Sequence, residues 1–376
     1  MKTYLPVLLA GLWLSGSCSK EDEPSGPGGV ARVPADYTIL TASEGLLQAE
    51  YFHTDGIDLQ PVSYPDRFVT DALPTLYHRD TGSVSFVRND PACPTRAAWY
   101  DSEAGDYLER DVLEGLDPCQ TEVLTLFHAG TVLYLGLQNT VKGDKPPAFL
   151  LRRVAMEGGT AADLPLPARP VDLARVGNRI FVLTLDAADT QLNTLQTITA
   201  DSFELLHGLE IGFNGRTLLP LDQTRLLVSF PDKHVILDAQ TLDVRQTVRY
   251  QQGLEPAFCG QAPLVSPDGN RLFYLYRAAL PEGGEQQIPA QYELDRNTAV
   301  FYYFENFLSP VQREIEYDVS EASAIGFDAR NQLLLVGYTR KLQPSGGGVF
   351  RLDIGPDFGL ADHVALPARP LVVFTR

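Results

Sequence analysis

The sequence has few of the residues on which most catalytic and nucleic-acid-binding sites depend. Its 376 residues include only 4 Cys and 6 His, and 30 Lys and Arg stand against 48 Asp and Glu, which gives a net charge of −18. A protein that binds a phosphate backbone needs a basic surface, so this balance argues against nucleic acid as a partner. Beyond the first residues no apolar run approaches the roughly 20 residues of a membrane-spanning helix, which excludes a polytopic membrane protein.

The usual motifs of catalysis and metal binding are also missing. The six His residues form no HxH or HExxH pair, and the sequence has no GxSxG elbow, no P-loop and no zinc-type spacing of cysteines. His78 and His128 each follow a Thr-Leu-aromatic triplet, so we interpret both as structural members of a repeat. The sequence therefore predicts no catalytic residue, no cofactor and no metal site.

What the sequence does contain is apolar and rich in turn-forming residues. Apolar residues make up 44% of the chain and charged residues 21%, with 31 Gly, 27 Pro, 16 Tyr and 18 Phe. Aromatic residues favour strands, while Gly and Pro interrupt regular elements. This composition predicts an all-β protein with many short strands.

The N-terminus resembles the signal of a bacterial lipoprotein. Lys2 precedes an apolar stretch of about ten residues, which is too short to span a membrane, and small residues lead to Cys18. The resemblance implies a signal peptide over residues 1–17 and a lipid on Cys18. An acidic and Pro/Gly-rich tether then fills the rest of 18–30. We expect a mature protein that is anchored to a membrane through Cys18.

The three remaining cysteines suit an oxidising compartment. Cys93 and Cys119 are 26 residues apart and flank one unit of the repeat described next, so a disulfide between them is plausible. Cys259 has no such partner, and we interpret it as a small buried residue.

One strand pattern recurs along the whole chain. Segments with alternating, β-branched or aromatic residues begin 46 to 48 residues apart, with one longer step of 61 between the last two. Most are preceded by a turn and an earlier strand and followed by two more strands, which is the four-stranded unit of a β-propeller. The seven segments begin at Tyr37, Ser83, Thr131, Arg179, Arg225, Arg271 and Gln332.

The two ends of the chain complement each other. The pentapeptide LPARP introduces the fourth unit at 166–170 and recurs at 366–370, where a single strand follows it. The first unit begins directly at its second strand, near Tyr37. We therefore predict a seven-bladed β-propeller over residues 31–376, closed by the C-terminal strand as the missing strand of the first blade. Rings of six or eight blades and two stacked β-sandwiches are the alternatives.

The predicted ligand-binding residues lie in the long loops of one face. In a propeller, the loops between second and third strands share a face with the connections between blades. An insertion over 306–320 joins them there. These loops carry a large share of the exposed charged residues. The predicted binding residues are Arg88, Asp90, Arg96, Lys142, Asp186, Arg277 and Arg340.

The repeat, the SPDG turn at 266–269 and the N-terminal signal together resemble the propeller lipoproteins of Bacteroidota. The resemblance implies an outer-membrane lipoprotein, exposed at the cell surface, that acts as a non-catalytic binding or accessory module. A glycan, a peptide or a protein of the cell envelope would then be its partner. Two alternatives remain: a propeller enzyme, such as a lactonase or lyase with its site in the central funnel, and a structural subunit of an outer-membrane complex.

Overall fold

Seven antiparallel sheets surround a common axis in the computed structural model. The seven-bladed, all-β prediction is confirmed, and so is the closure by the C-terminal strand. The structure describes residues 32–63, 68–71, 73–89, 93, 95–140, 146–186, 190–251, 256, 258, 263–280, 283–355 and 358–376.

The first three blades follow one another directly along the chain. Blade 1 takes β1 (Ala35–Ser43), β2 (Leu46–Thr54), β3 (Leu59–Val62) and the short β4 (Val69–Thr70), which also pairs with β2. Blade 2 consists of β5 (Leu76–Arg79), β6 (Ser83–Asn89), β7 (Thr95–Asp101) and β8 (Tyr107–Asp111). Blade 3 consists of β9 (Thr121–Ala129), β10 (Val132–Asn139), β11 (Ala148–Ala155) and β12 (Ala162–Leu166).

The next three blades repeat this order. Blade 4 consists of β13 (Arg169–Val176), β14 (Arg179–Leu185), β15 (Leu192–Thr199) and β16 (Leu205–Phe213). Blade 5 consists of β17 (Thr217–Pro220), β18 (Arg225–Ser229), β19 (Lys233–Asp238) and β20 (Val244–Arg249). Blade 6 consists of β21 (Leu264–Val265), β22 (Arg271–Ala279), β23 (Glu285–Glu293) and β24 (Thr298–Phe301).

The last blade follows the predicted insertion, with one short helical turn at the start of the insertion and another within it. These are a 3₁₀ turn, Phe304–Asn306, and a π-helical turn, Gln312–Glu316. Blade 7 consists of β25 (Val319–Asp328), β26 (Leu333–Arg340), β27 (Gly347–Asp353) and β28 (Gly359–Leu366), and the chain ends with β29 (Arg369–Thr375).

Each predicted repeat segment is the second strand of a blade. The seven strands β1, β6, β10, β14, β18, β22 and β26 begin within two residues of the predicted positions. The side chains of these strands point alternately to the two faces of the blade. Both faces are buried because each blade packs between two neighbours. Buried Phe181 and Leu183 of β14, for example, pack in one cluster with Leu226 and Val228 of the next blade.

The ring closes through β29, which pairs antiparallel with β1. The register runs from Tyr37 opposite Thr375 to Ala42 opposite Arg369. Val372, Val373 and Phe374 of this strand are buried. Because β29 forms the first strand of blade 1, both chain ends of the ring are held in one sheet.

Antiparallel order gives the ring two distinct faces. The connections between second and third strands, and those between blades, lie on what we call the loop face. The turns from first to second strand, and from third to fourth, lie on the opposite face, which we call the turn face. The first strands of neighbouring blades contact each other, so they line the axis.

Candidate functional site

The predicted binding residues on the loop face pair mainly with neighbours in their own blade. Arg96 Nη1 lies 3.4 Å from Glu109 Oε1, and Arg277 Nη1 lies 3.6 Å from Glu285 Oε2. Arg88 Nη1 lies 3.2 Å from Asp71 Oδ1 in the connection from blade 1. These arginines belong to blades 2 and 6 and form separate ion pairs, so the structure does not bring them together at one site.

The other predicted residues are equally dispersed. Asp186 of blade 4 accepts a hydrogen bond from Thr190 Oγ1 at 3.0 Å, and Arg340 ends the second strand of blade 7. Asp90, Lys142, Cys18 and Cys259 lie outside the described residues, as does the predicted signal and tether segment. A shared ligand site for this set therefore stays a prediction.

A disulfide joins Cys93 to Cys119 on the loop face, with an S–S distance of 2.15 Å. Cys93 lies in the loop between β6 and β7, and Cys119 lies in the connection from blade 2 to blade 3. The bond ties a loop of blade 2 to the segment that starts the next blade.

Two cavities on the axis meet in the middle of the ring. The loop-side cavity, of about 420 Å³, is lined by residues such as Val171, Arg216 and Thr217. The turn-side cavity, of about 570 Å³, is lined by residues such as Arg79, Asp80 and Arg175. His78 and Asp172 line both cavities, so they mark the point where the two spaces adjoin.

Asp172 is held at this junction by backbone groups of two blades. Its Oδ1 accepts a hydrogen bond from the N–H of Leu173 at 2.9 Å, and its Oδ2 accepts one from the N–H of Leu218 at 2.7 Å. A bulge between Pro170 and Asp172 in β13 accompanies this position. Burial raises the pKa of Asp172 to about 7, and the two backbone donors only partly offset that rise. The carboxyl group can therefore gain or lose a proton near neutral pH.

His78 and His128 face each other across blades 2 and 3. Their Nδ1 atoms lie 3.0 Å apart, and His128 Nδ1 also lies 2.8 Å from Ser85 Oγ. Burial and the nearby His128 lower the pKa of His78 to about 3, so its imidazole is neutral at physiological pH. His78 and His128, which the sequence placed at equivalent positions of the repeat, are thus in direct contact. His78 also lines both axial cavities.

Asp80 fixes the other side of the His128 ring. His128 Nε2 lies 3.3 Å from Asp80 Oδ2 and 2.9 Å from Ser83 Oγ. Burial alone would raise the pKa of Asp80, but the hydrogen bond from His128 and those from backbone N–H groups outweigh it and lower that pKa below its ordinary value. Asp80, His128 and His78 therefore form a chain of polar contacts that ends at the axis.

Arginine side chains supply positive charge to the axial cavities. Arg79 Nη1 donates a hydrogen bond to the carbonyl of Ile325 at 2.6 Å, across to blade 7. Partial burial disfavours the charged form of Arg79 and lowers its pKa to about 10. Arg175 Nε donates to the carbonyl of Gly177 at 2.8 Å. Arg216 lines the loop-side cavity.

None of these axial residues was predicted as a ligand-binding residue from the sequence. Asp172 is the only acidic residue within the mainly apolar strand β13, and that isolation is the one local signal that could have indicated it. In the described part of the chain, no group of three or more His, Cys, Asp or Glu side chains could hold a metal ion. No helix within that part is long and apolar enough to cross a membrane.

Comparisons with known proteins support the fold alone. No protein-family model matches the sequence, and no curated protein matches it. A crystal structure of a candidate 6-phosphogluconolactonase from Bacteroides uniformis is similar, with a TM-score of 0.51 and 13% identity over 91% of this chain and 99% of that one. A second candidate 6-phosphogluconolactonase, from Bacteroides fragilis, has a TM-score of 0.50 and 14% identity over 94% and 100% of the two chains.

Proposed function

We propose that the protein is a binding lipoprotein of the cell envelope. It would hold a small molecule in the axial channel, by which we mean the loop-side and turn-side cavities together. The observation that carries this proposal is the meeting of two cavities at His78 and Asp172. Their volumes, about 420 and 570 Å³, fall in the range of small-molecule sites. Apolar residues of the first strands supply much of the wall, and a few polar groups converge on it, as is usual for such sites.

The membrane anchor proposed at Cys18 agrees with the path of the chain into the ring. The N–H of Val33 donates to Asn331 Oδ1 at 2.8 Å, and Asn331 lies in a turn of the turn face. The proposed tether would therefore join the turn face, and the loop face would point away from the membrane. A Cys18→Ala variant should appear in the soluble fraction after cell lysis, and its full retention in membranes would contradict lipidation.

Surface exposure of the anchored protein needs its own test. Protease added to intact cells should digest the protein if it lies on the outer leaflet, while a periplasmic control protein stays intact. Protection of both proteins until the cells are opened would place the lipoprotein on the periplasmic side instead.

The channel site can be tested with variants on the two faces. A screen by ligand-observed NMR would cover small glycans, short peptides and metabolite extracts of the envelope. Val171→Phe should fill part of the loop-side cavity and weaken binding, whereas Arg277→Ala should leave binding unchanged because Arg277 is exposed on the loop face. Loss of binding in Arg277→Ala alone would instead locate the ligand among the predicted loop residues.

The enzyme alternative is favoured by the position of Asp172 in the wall of both cavities, where burial raises its pKa to about 7. A carboxyl group that titrates near pH 7 inside a cavity is suited to general acid–base catalysis. The names of the two Bacteroides proteins point the same way, but at 13% and 14% identity their likeness extends to the fold alone. Turnover of a lactone or a lyase substrate by the wild type, lost in Asp172→Asn with the fold intact, would favour the enzyme.

A further inference from the structure

We propose that the ligand of the axial channel is an anion whose carboxylate or phosphate group pairs with Arg79 and Arg175 in the turn-side cavity. This inference rests on the channel site proposed above and names the chemical class of its ligand. Both arginines line that cavity, and Arg79 also lines a smaller space of about 150 Å³ beside it.

The first argument is the contrast with Arg152 and Arg351, the two arginines that are fully buried among the described residues. Arg152 donates to both oxygens of Asp163, at 2.6 and 2.7 Å, and Arg351 donates to both oxygens of Asp362, at 2.6 Å each. Such two-point pairing with a carboxylate offsets the cost of burying a guanidinium group. In each case the acidic partner belongs to the neighbouring strand of the same blade.

Arg79 and Arg175 are half-buried, and they lack a partner of this kind. Among the residues that the structure describes, no carboxylate lies within ion-pair distance of either guanidinium group, and each hydrogen bond found for them goes to a backbone carbonyl. The lowered pKa of Arg79, about 10, agrees with a half-buried charge that no acid compensates. An anionic group in the cavity would supply the missing partner.

The second argument is that the two acids of the cavity already have hydrogen-bond donors of their own. Asp80 accepts hydrogen bonds from His128 and from the N–H groups of Gly82 and Ser83, at 3.0 and 2.7 Å. Asp172 is bound by two backbone N–H groups, and its raised pKa leaves it partly protonated at neutral pH. The neutral His78 adds no charge. Among the residues that line the cavity, the two arginines therefore outnumber the one carboxylate, Asp80, that is fully charged at neutral pH, although the whole chain carries a net charge of −18.

Matched pairs of charged and neutral probes test the inference. The pairs are lactate with lactamide, tartrate with tartramide, and glycerol 3-phosphate with glycerol, each titrated into the full-length mature protein and followed by ligand-observed NMR. An added charge-assisted hydrogen-bond pair should favour at least one acid over its neutral partner by roughly tenfold or more. Comparison of lactate and tartrate with glycerol 3-phosphate then shows whether the site prefers a carboxylate or a phosphate.

Variants of the two arginines show whether these residues cause the preference for the acid. Arg79→Met and Arg175→Met should each remove the preference for the acid, and Arg79→Lys should keep part of it because the charge remains. Arg245→Met is the matched control, since Arg245 lies on the outer strand of blade 5 and pairs with Asp238. Melting temperatures of all variants show whether a lost preference reflects the site or the fold.

The outcomes separate this inference from the channel proposal. Equal binding of acids and neutral partners, with weakening by Val171→Phe, would refute the anion class and leave the channel site standing. A preference for acids that Arg245→Met removes as strongly as Arg79→Met would also refute it. If neither these probes nor the envelope screen yields a ligand whose binding is weakened by Val171→Phe, Arg79→Met or Arg175→Met, both proposals fail.

Discussion

Removal of the C-terminal strand should open the ring and cost most of its stability. In β29 the side chains of Val372, Val373 and Phe374 are 3%, 3% and 2% exposed. Burial of such side chains contributes about 1.5–3 kcal/mol each, or about 5–9 kcal/mol together. A natural domain is stable by only about 5–15 kcal/mol. Deletion of residues 369–376 would in addition expose the edge of β1 that now pairs with β29, while β2 stays paired to its other edge.

A single substitution measures the same contact without removing backbone. Phe374→Ala should lower the free energy of unfolding by about 3–5 kcal/mol, because the cavity adds to the lost transfer energy. Urea unfolding followed by circular dichroism gives that value, and size-exclusion chromatography shows whether the truncated chain stays compact. Leu342→Ala is the control, since Leu342 is 91% exposed and its change should stay within about 0.5 kcal/mol. Wild-type stability of the truncated protein would refute the closure argument.

Three further changes test other parts of the structure. Arg351→Met leaves the largely buried Asp362 with the N–H of Leu59 as a donor but without its charged partner, and it should cost about 3–5 kcal/mol in urea unfolding. Arg351→Met combined with Asp362→Leu should recover part of this loss, since the Leu59 N–H then loses its acceptor. Cys93→Ser combined with Cys119→Ser removes the disulfide, whose cysteines are 26 residues apart, and should lower the free energy of unfolding by about 3–4 kcal/mol. An unchanged free energy of unfolding would show that the disulfide does not stabilise the fold. The raised pKa of Asp172, about 7, means that the folded protein keeps a proton that the unfolded chain releases near pH 4, so stability should fall as pH rises from about 4 to 7. Asp172→Asn should remove that part of the pH dependence, and a curve identical to wild type would contradict the shifted pKa.

The architecture could be predicted because it repeats locally. Each second strand, such as Arg179–Leu185, carries its own pattern of apolar residues and its own turns, so its position is visible without knowledge of its neighbours. The closure was visible as well, because LPARP at 366–370 repeats a segment that introduces a first strand. The insertion near 306–320 was recognised from its length, but its helical turns were not predicted.

The candidate site was not predictable in the same way. Charged loop residues such as Arg88 and Arg277 looked available in the sequence, yet each has an acidic neighbour that depends on strand pairing and loop path. His78 was recognised as one member of a repeated position, but its place on the axis depends on where blade 2 stands in the ring. Asp172 and Leu218 are 46 residues apart, and their hydrogen bond exists only because two first strands lie side by side.

The sequence by itself determined the class of fold, the number of blades and the strand that closes them, because alternation and spacing are properties of short segments. The predicted signal and lipid anchor also rest on such a local pattern. Only the tertiary structure decided that Arg79, His78, Asp172 and Arg175 line one channel, since the ring brings first strands from separate blades to a common axis. Burial at that axis, rather than any local motif, shifts the pKa values of His78 and Asp172, and it leaves two arginines without acidic partners among the described residues.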